Sequence, residues 1–421
     1  MQFIKKIINK PAIRQGFVVL SDQGFLSVAT FLAGIMVARG TSKEEYGLYV
    51  LVWSVAMIFQ SFHHALINLP MSVRLPKFSS DEKNSYIGSS LVITFVLVAL
   101  IIGLTFIVNY SGSFLSSNND SFYKVMPFLS IIIAPVIFRT YLRNTLLAML
   151  KVNQSMMASI LSSILQISIF SYYYVLGELT LILAFKIVAI VYLVATIFMV
   201  YYFRAIVNVQ LSRIMTDLKE NWKLSKWLVL NAFGFMGSSQ AYPWLILLLI
   251  DTSAVAVYGA CLATASLLSP LLNGASAFIL PKMSHGIKDG NVKTLKRMLK
   301  QSVFVLGVLY GAWLLIGWFF GEDIINLFYG SEYKEYSWLF VLLLIKVCME
   351  SVASPISNAL QAIHKPSVIT VSLMISTMVA VALGMYAINK YGLIGVGFAA
   401  ILSVLSATLW KWIGFCKSYA N

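Results

Sequence analysis

Apolar residues run in long, nearly unbroken blocks along the 421-residue chain, and short polar stretches separate one block from the next. As a helix, a block of about 20 residues crosses the ~30 Å hydrocarbon core of a bilayer. Twelve blocks reach that length, at about residues 16–38, 47–69, 87–109, 125–149, 156–176, 179–203, 226–250, 253–280, 301–320, 336–363, 367–388 and 392–415. The strands of a membrane barrel would instead alternate apolar and polar residues in segments of about ten. The pattern therefore predicts an all-α integral membrane protein with twelve transmembrane helices. Between the sixth and seventh blocks, residues 204–225 ("RAIVNVQLSRIMTDLKENWKLS") are polar and basic, and are expected to form an interfacial amphipathic helix that acts as a hinge.

The blocks also repeat. "TSKEEYGLY" contains Tyr46-Gly47, and "TSAVAVYGA" contains Tyr258-Gly259, 212 residues later. Leu69-Pro70-Met71-Ser72 closes the block after the first copy, and Leu280-Pro281-Lys282-Met283-Ser284 closes the block after the second. A weaker echo links "AMLK" at Ala148 to "AIHK" at Ala362. These echoes predict a duplicated half: a lobe at 1–215 and a lobe at 216–421, each of six helices. An even number of crossings per half makes the repeat parallel, about an axis near the membrane normal. Tyr46 and Tyr258 are read as anchors at the outer membrane interface, and each Leu-Pro as the inner end of its helix.

Composition agrees with that reading. The chain is 59% hydrophobic and 11% charged with a mean hydropathy of +0.83, outside the range of a soluble domain. Most of its 31 basic residues fall in one set of alternate loops and in the two ends, whereas the other set holds Arg39, Lys43, Lys124, Lys334 and Lys390 together with most of the loop acids. The positive-inside rule then places both termini in the cytoplasm. The net charge of +15 is spread over short inner loops, which points to topology and anionic lipid and not to nucleic acid. Cys261, Cys348 and Cys416 lie in apolar blocks without CxxC spacing, so neither a disulfide nor a metal site is expected. No GxxxxGK[ST], HExxH or GxSxG motif is present and the outer loops are short, which argues against an enzyme.

Ionisable groups inside the blocks are the candidate chemistry. Each costs about 2.5–3.5 kcal/mol at a helix centre, so it faces a wet cavity or a partner. Arg139 and Arg143 are four apart on the fourth block and present two guanidinium groups on one face, suited to a phosphate or carboxylate. Lys346 and Glu350 are four apart on the tenth block, the repeat's counterpart of the fourth; they either pair with each other or face the same cavity. Asp22 in the first block is either a carrier of a coupling proton or sodium ion or the partner of Arg139 in a salt bridge; Glu350 is the second candidate for coupling. His63 and His64 are expected at the inner interface, and Lys186 is expected to snorkel. In the seventh block, "NAFGFMGSSQAYPW" concentrates small and polar residues, so Asn231, Ser238 and Gln240 are expected to line the cavity from a bent helix.

Three stretches carry a family resemblance: "ARGTSKEEYGLYVLVWS", its counterpart "IDTSAVAVYGACLA", and "LPKMS". Together with size, topology and repeat, they resemble the polysaccharide (O-antigen repeat-unit) flippases of the MOP superfamily, relatives of the MATE exporters. The resemblance implies two MATE-like six-helix lobes around a cationic cavity, and alternating access. It also implies flipping of undecaprenyl-diphosphate-linked oligosaccharides across a bacterial cytoplasmic (inner) membrane, for surface polysaccharide such as lipopolysaccharide. Implied partners are that lipid-linked substrate, membrane lipids and polysaccharide polymerase machinery; no cofactor is implied beyond a coupling ion. Arg139, Arg143 and Lys346 fit the family's tendency to place cations in the cavity. The alternative is an ion-coupled multidrug or small-molecule exporter of the same fold, for which a more acidic and aromatic cavity would be expected.

Overall fold

The computed structural model describes residues 11–115, 121–203, 208–288 and 292–418. Among them every regular element is helical. In chain order these are α1 (Pro11–Gly40), α2 (Lys43–His63), α3 (Leu69–Arg74), α4 (Ser80–Leu115), α5 (Ser121–Ala148), α6 (Val152–Val175) and α7 (Leu181–Phe203). They are followed by α8 (Leu211–Leu249), α9 (Thr252–Ala265), α10 (Ser269–Lys288), α11 (Val292–Tyr329), α12 (Ser331–Lys334), α13 (Ser337–Ala362), α14 (Pro366–Tyr391) and α15 (Leu393–Lys417). Eleven spans among the described residues are long and apolar enough to cross a membrane, which makes this a multi-pass membrane protein. The expected twelfth, at 226–250, belongs to α8. Its Asn231, Ser238, Ser239 and Gln240 dilute the apolar run, and residues 211–225 of the amphipathic connection before it are part of the same continuous 39-residue helix, while 204–207 lie outside the described residues. No proline or glycine lies between Leu211 and Phe233 to end that helix.

Proline breaks the regularity elsewhere. Pro70 cannot donate to the carbonyl of Leu66, and its ring crowds that carbonyl, so the chain widens into a π turn over His64–Asn68 before α3 begins. In the second copy Leu280-Pro281 lies within α10, so neither Leu-Pro ends its helix as expected: the first opens α3 and the second falls inside a continuous helix, whose first turn holds Pro270 behind a 3₁₀ turn at Ser266–Leu268.

The chain forms two compact units, Met1–Ala232 and Phe233–Asn421. In the first, α5 is the central helix, packed on α2, α4 and α7, while α1 lies along α6. In the second, α13 takes the central place, packed on α9, α10, α11 and α15, while α14 lies along α15. Large apolar side chains such as Leu100, Phe106, Phe304 and Phe319 are exposed at 62–73%. Such faces suit contact with lipid tails.

The repeated Tyr-Gly proves to be a packing motif. Tyr46 and Tyr258 are each 3% exposed, enclosed by the protein. Tyr46 stacks on Tyr49 at 5.9 Å between ring centroids, and Tyr258 lies 6.3 Å from Tyr242. Tight caps place them. Ser42 forms a capping box with Glu45 at the start of α2, and Asp251 accepts from the backbone N–H of Ala254 at 2.6 Å at the start of α9. Each tyrosine therefore falls within the first two turns, where neighbouring helices enclose it.

Candidate functional site

The i,i+4 spacing puts Arg139 and Arg143 one turn apart on α5, but their surroundings differ. Arg143 is neutralised. Its Nε donates to Asp22 Oδ2 at 3.0 Å, its Nη2 makes a salt bridge to the same oxygen, and Nη2 also reaches Gln23 Oε1 at 3.3 Å. The Asp22 side chain is 0% exposed and that of Arg143 15%. The sequence reading of a salt bridge from Asp22 to Arg139 is thus corrected by one helical turn: the carboxylate on α1 lies at the depth of Arg143.

Arg139 is held by neutral groups instead. Its Nη2 donates to Ser162 Oγ on α6 at 3.2 Å, and its Cζ sits 4.3 Å from the centroid of the Tyr192 ring on α7. It is 8% exposed, and no carboxylate pairs with it among the described residues. A guanidinium at this depth with one hydroxyl and one aromatic face as its contacts leaves most of its five donors available. Ser162 belongs to a buried polar stripe on α6, made with Ser155, Ser159, Ser163 and Gln166. Ser155 Oγ, Ser163 Oγ, Gln166 Nε2 and the second oxygen of Asp22 are buried without a hydrogen-bond partner among the described residues. Buried polar atoms in this state are completed by water or a ligand. The stripe was legible, because "SMMASILSSILQ" (155–166) puts its polar residues at helical spacing inside an apolar block. Tyr192 carried no such signal.

In the second unit, Lys346 Nζ and Glu350 Oε2 are 2.7 Å apart on α13, so the two pair with each other. The Lys346 side chain is 13% exposed and that of Glu350 46%. A carboxylate midway along a membrane-length helix and half exposed requires water at that face, because hydrocarbon would not tolerate it. In a background with the three cysteines replaced by serine, Glu350→Cys is therefore expected to react with a membrane-impermeant maleimide in intact membranes or inverted vesicles. Failure to react from either side would mean that this face is covered.

The small residues of α8 serve close packing. Thr377 Oγ1 on α14 donates to the carbonyl of Gly234 at 2.7 Å, and a Cβ on Gly237 would lie 2.4 Å from Thr377 Cγ2. Ser238 returns its hydroxyl to the carbonyl of Phe235 at 3.0 Å, within its own helix. Asn231 Oδ1 is buried without a partner among the described residues. His63, expected at the inner interface, lies in the core at 2% exposure. Its Nε2 is 3.1 Å from Thr94 Oγ1, and Asn68 approaches Nδ1 at 3.4 Å across the π turn, which sets residues five apart on one side.

No protein-family model matches the chain. It is 22% identical over 210 residues to the probable low-salt glycan biosynthesis flippase Agl15 of Haloferax volcanii, a match covering 46% of this chain and 43% of that protein, so the chain spans less than half the length of this curated relative. Among solved structures it is similar to an inward-facing multidrug resistance MATE family transporter of the MOP superfamily, with a TM-score of 0.80 at 15% identity, covering 96% of this chain and 100% of that one. It is also similar to the lipid II flippase MurJ in an inward closed conformation, with a TM-score of 0.71 at 16% identity, covering 94% of this chain and 87% of that one.

Proposed function

We propose that this chain, which has the fold of the MOP superfamily transporters, is a flippase for polyprenyl-diphosphate-linked oligosaccharides that works by alternating access. The observation that carries the proposal is Arg139: a buried guanidinium on a central helix, without an acidic partner among the described residues, beside a stripe of unpartnered hydroxyl and amide groups. A diphosphate would supply the missing charge, and a sugar the missing hydrogen-bond partners. The similarity to a glycan flippase and to a lipid II flippase supports a lipid-linked load.

In this reading the two halves are six-helix lobes that meet within α8, near Ala232 and not at the expected 215/216, α8 supplies the twelfth crossing, and both termini face the cytoplasm. Arg139, Arg143 and Lys346 provide positive charge, Asn231, Ser238 and Gln240 add polar lining, and the prenyl tail stays in the bilayer while the headgroup crosses. Asp22 and Glu350 are the candidates for coupling to protons or sodium. Arg143 and Lys346 begin the cycle neutralised by these same two acids. A load that draws either cation away would thus free a carboxylate to bind an ion. The membrane is proposed to be a bacterial inner membrane, with a polysaccharide polymerase receiving the product. A multidrug exporter of the same fold is disfavoured, since an uncompensated arginine repels organic cations.

Depleting the protein is expected to make undecaprenyl-diphosphate oligosaccharide accumulate in lipid extracts while surface glycan falls, both read by mass spectrometry. Unchanged lipid and unchanged surface glycan would sink the flippase reading.

A further inference from the structure

Residues 208–225 of the connection between the sixth and seventh apolar blocks are docked, not free. Arg213, Asp217, Asn221 and Ser225 follow at intervals of four along the start of α8 and so form one face, and Asp217, Asn221 and Ser225 are each 0–1% exposed. That face meets a polar cluster at the ends of α3 and α4. Ser89 Oγ donates to Asp217 Oδ2 at 2.5 Å, with Arg74 at 3.5 Å and Arg213 at 3.7 Å from the same carboxylate. Asn221 Oδ1 accepts from both Arg74 Nη1 at 2.9 Å and the Tyr86 hydroxyl at 2.8 Å. Arg74 also pairs with Glu220 and lies over the Tyr86 ring at 4.7 Å.

Three further contacts seal the dock. Ser225 Oγ donates at 3.4 Å to the carbonyl of Leu66, the one that Pro70 cannot use. Asn208 donates through its backbone to Asn84 at 3.2 Å, and a Cβ on Gly88 would lie 2.2 Å from the Asn208 carbonyl oxygen. Ile214 and Leu218 pack against the core cluster that contains Ile67, Met71 and Tyr86. Undocking would break these polar contacts together and uncover the apolar side chains of Ile214 and Leu218, which opposes release. At the far end, α8 is gripped from Gly234 onward by α14, through Leu373 and Thr377.

We infer that residues 208–225 are a permanent part of the first unit, a dock that fixes the root of α8, and that any rearrangement of the units bends α8 between Ser225 and Gly234. The motion in this inference rests on the alternating-access reading; the dock does not. Asn231 lies in the bending segment, and its buried, unpartnered Oδ1 can take up a backbone N–H that bending releases. The Leu-Pro repeat thereby has a task in the first half: its proline frees the carbonyl, and its following arginine supplies the clamp, that hold the connection in place.

Two measurements on the full chain, with Cys261, Cys348 and Cys416 replaced by serine, test this. By hydrogen exchange in lipid nanodiscs, amides of 211–225 should be as protected as those of α4, and Asp217→Ala should speed their exchange by at least about tenfold while leaving α14 unchanged. Fast exchange of 211–225 in the parent chain would overturn the dock. Second, Asn84→Cys/Asn208→Cys, placed where the two backbones touch, should form a disulfide on oxidation. Proteoliposomes containing the lipid extract of depleted cells should then expose glycan to external periodate at rates within about twofold, oxidised or reduced. A block on oxidation that is relieved by reduction would show that the dock opens in every cycle, and would overturn its permanence. Exchange and cross-linking need no substrate, so a parent chain that moves no glycan tells against the flippase reading alone.

Discussion

Arg143→Ala is expected to destabilise the folded chain by about 3–5 kcal/mol, the cost typical of removing one partner from a buried ion pair. The reason is the residue left behind. Asp22 is fully buried with one oxygen already unpartnered, and Arg143 supplies both donors to the other. Asp22→Asn should cost less, because the stranded arginine is 15% exposed and its long side chain can move its charge toward water. The double variant Asp22→Asn/Arg143→Gln should regain most of the loss, since two neutral amides of similar size can pair. Unfolding in mixed micelles by titration with a denaturing detergent measures all four proteins. Equal damage in the single Arg143 variant and the double would mean that the pair is not what holds α1 to α5. The Asp22→Asn variant has a second use, because it keeps Arg143: if Asp22 carries the coupling ion, it should be folded and yet fail to transport.

How much of this could be read in advance differs by level. The spanning helices were legible because lipid demands continuous apolar runs with every backbone group satisfied inside the helix. That Lys346 and Glu350 are neighbours was legible too, since spacing of four on one helix fixes this regardless of tertiary structure, but their pairing with each other was left open beside a shared cavity. The partner of Asp22 was not: Arg139 and Arg143 differ by one turn, and which of them meets α1 depends on helix tilt and depth, which periodicity does not encode. The burial of Tyr46 and Tyr258 was not legible for a related reason, because a tyrosine is equally at home at a membrane interface and between helices. The continuity of α8 could have been inferred from the absence of proline and glycine between Leu211 and Phe233, but its change from amphipathic to apolar suggested two elements. Asp217 was hidden by the same change. Among charged neighbours it read as part of a solvated face, whereas its partners Arg74 and Ser89 are more than 120 residues earlier in the chain.

Arg139→Ala should show the opposite balance from Arg143→Ala: a large loss of transport with little loss of stability. The guanidinium has no carboxylate partner among the described residues, so deleting it strands no charge, and the burial cost of the cation disappears with it. What is lost is a charged donor for the load. Hydrogen bonds to charged groups are worth about 1.5–3 kcal/mol, so losing one should slow flipping by about ten- to a hundredfold. Arg139→Lys should recover only part of this, because an ammonium keeps the charge but not the planar fork or the stacking on Tyr192. Complementation of depleted cells reads the outcome as surface glycan regained and lipid-linked oligosaccharide cleared, beside a detergent unfolding curve for each variant. Full complementation by Arg139→Ala would remove the residue from the site. Loss of transport together with collapse of the fold would make it a structural arginine, leaving the α6 stripe without the charge that makes it a phosphate site. Loss of transport with an intact fold is the expected result, and it would separate the arginine that holds the first unit together from the one that holds the load.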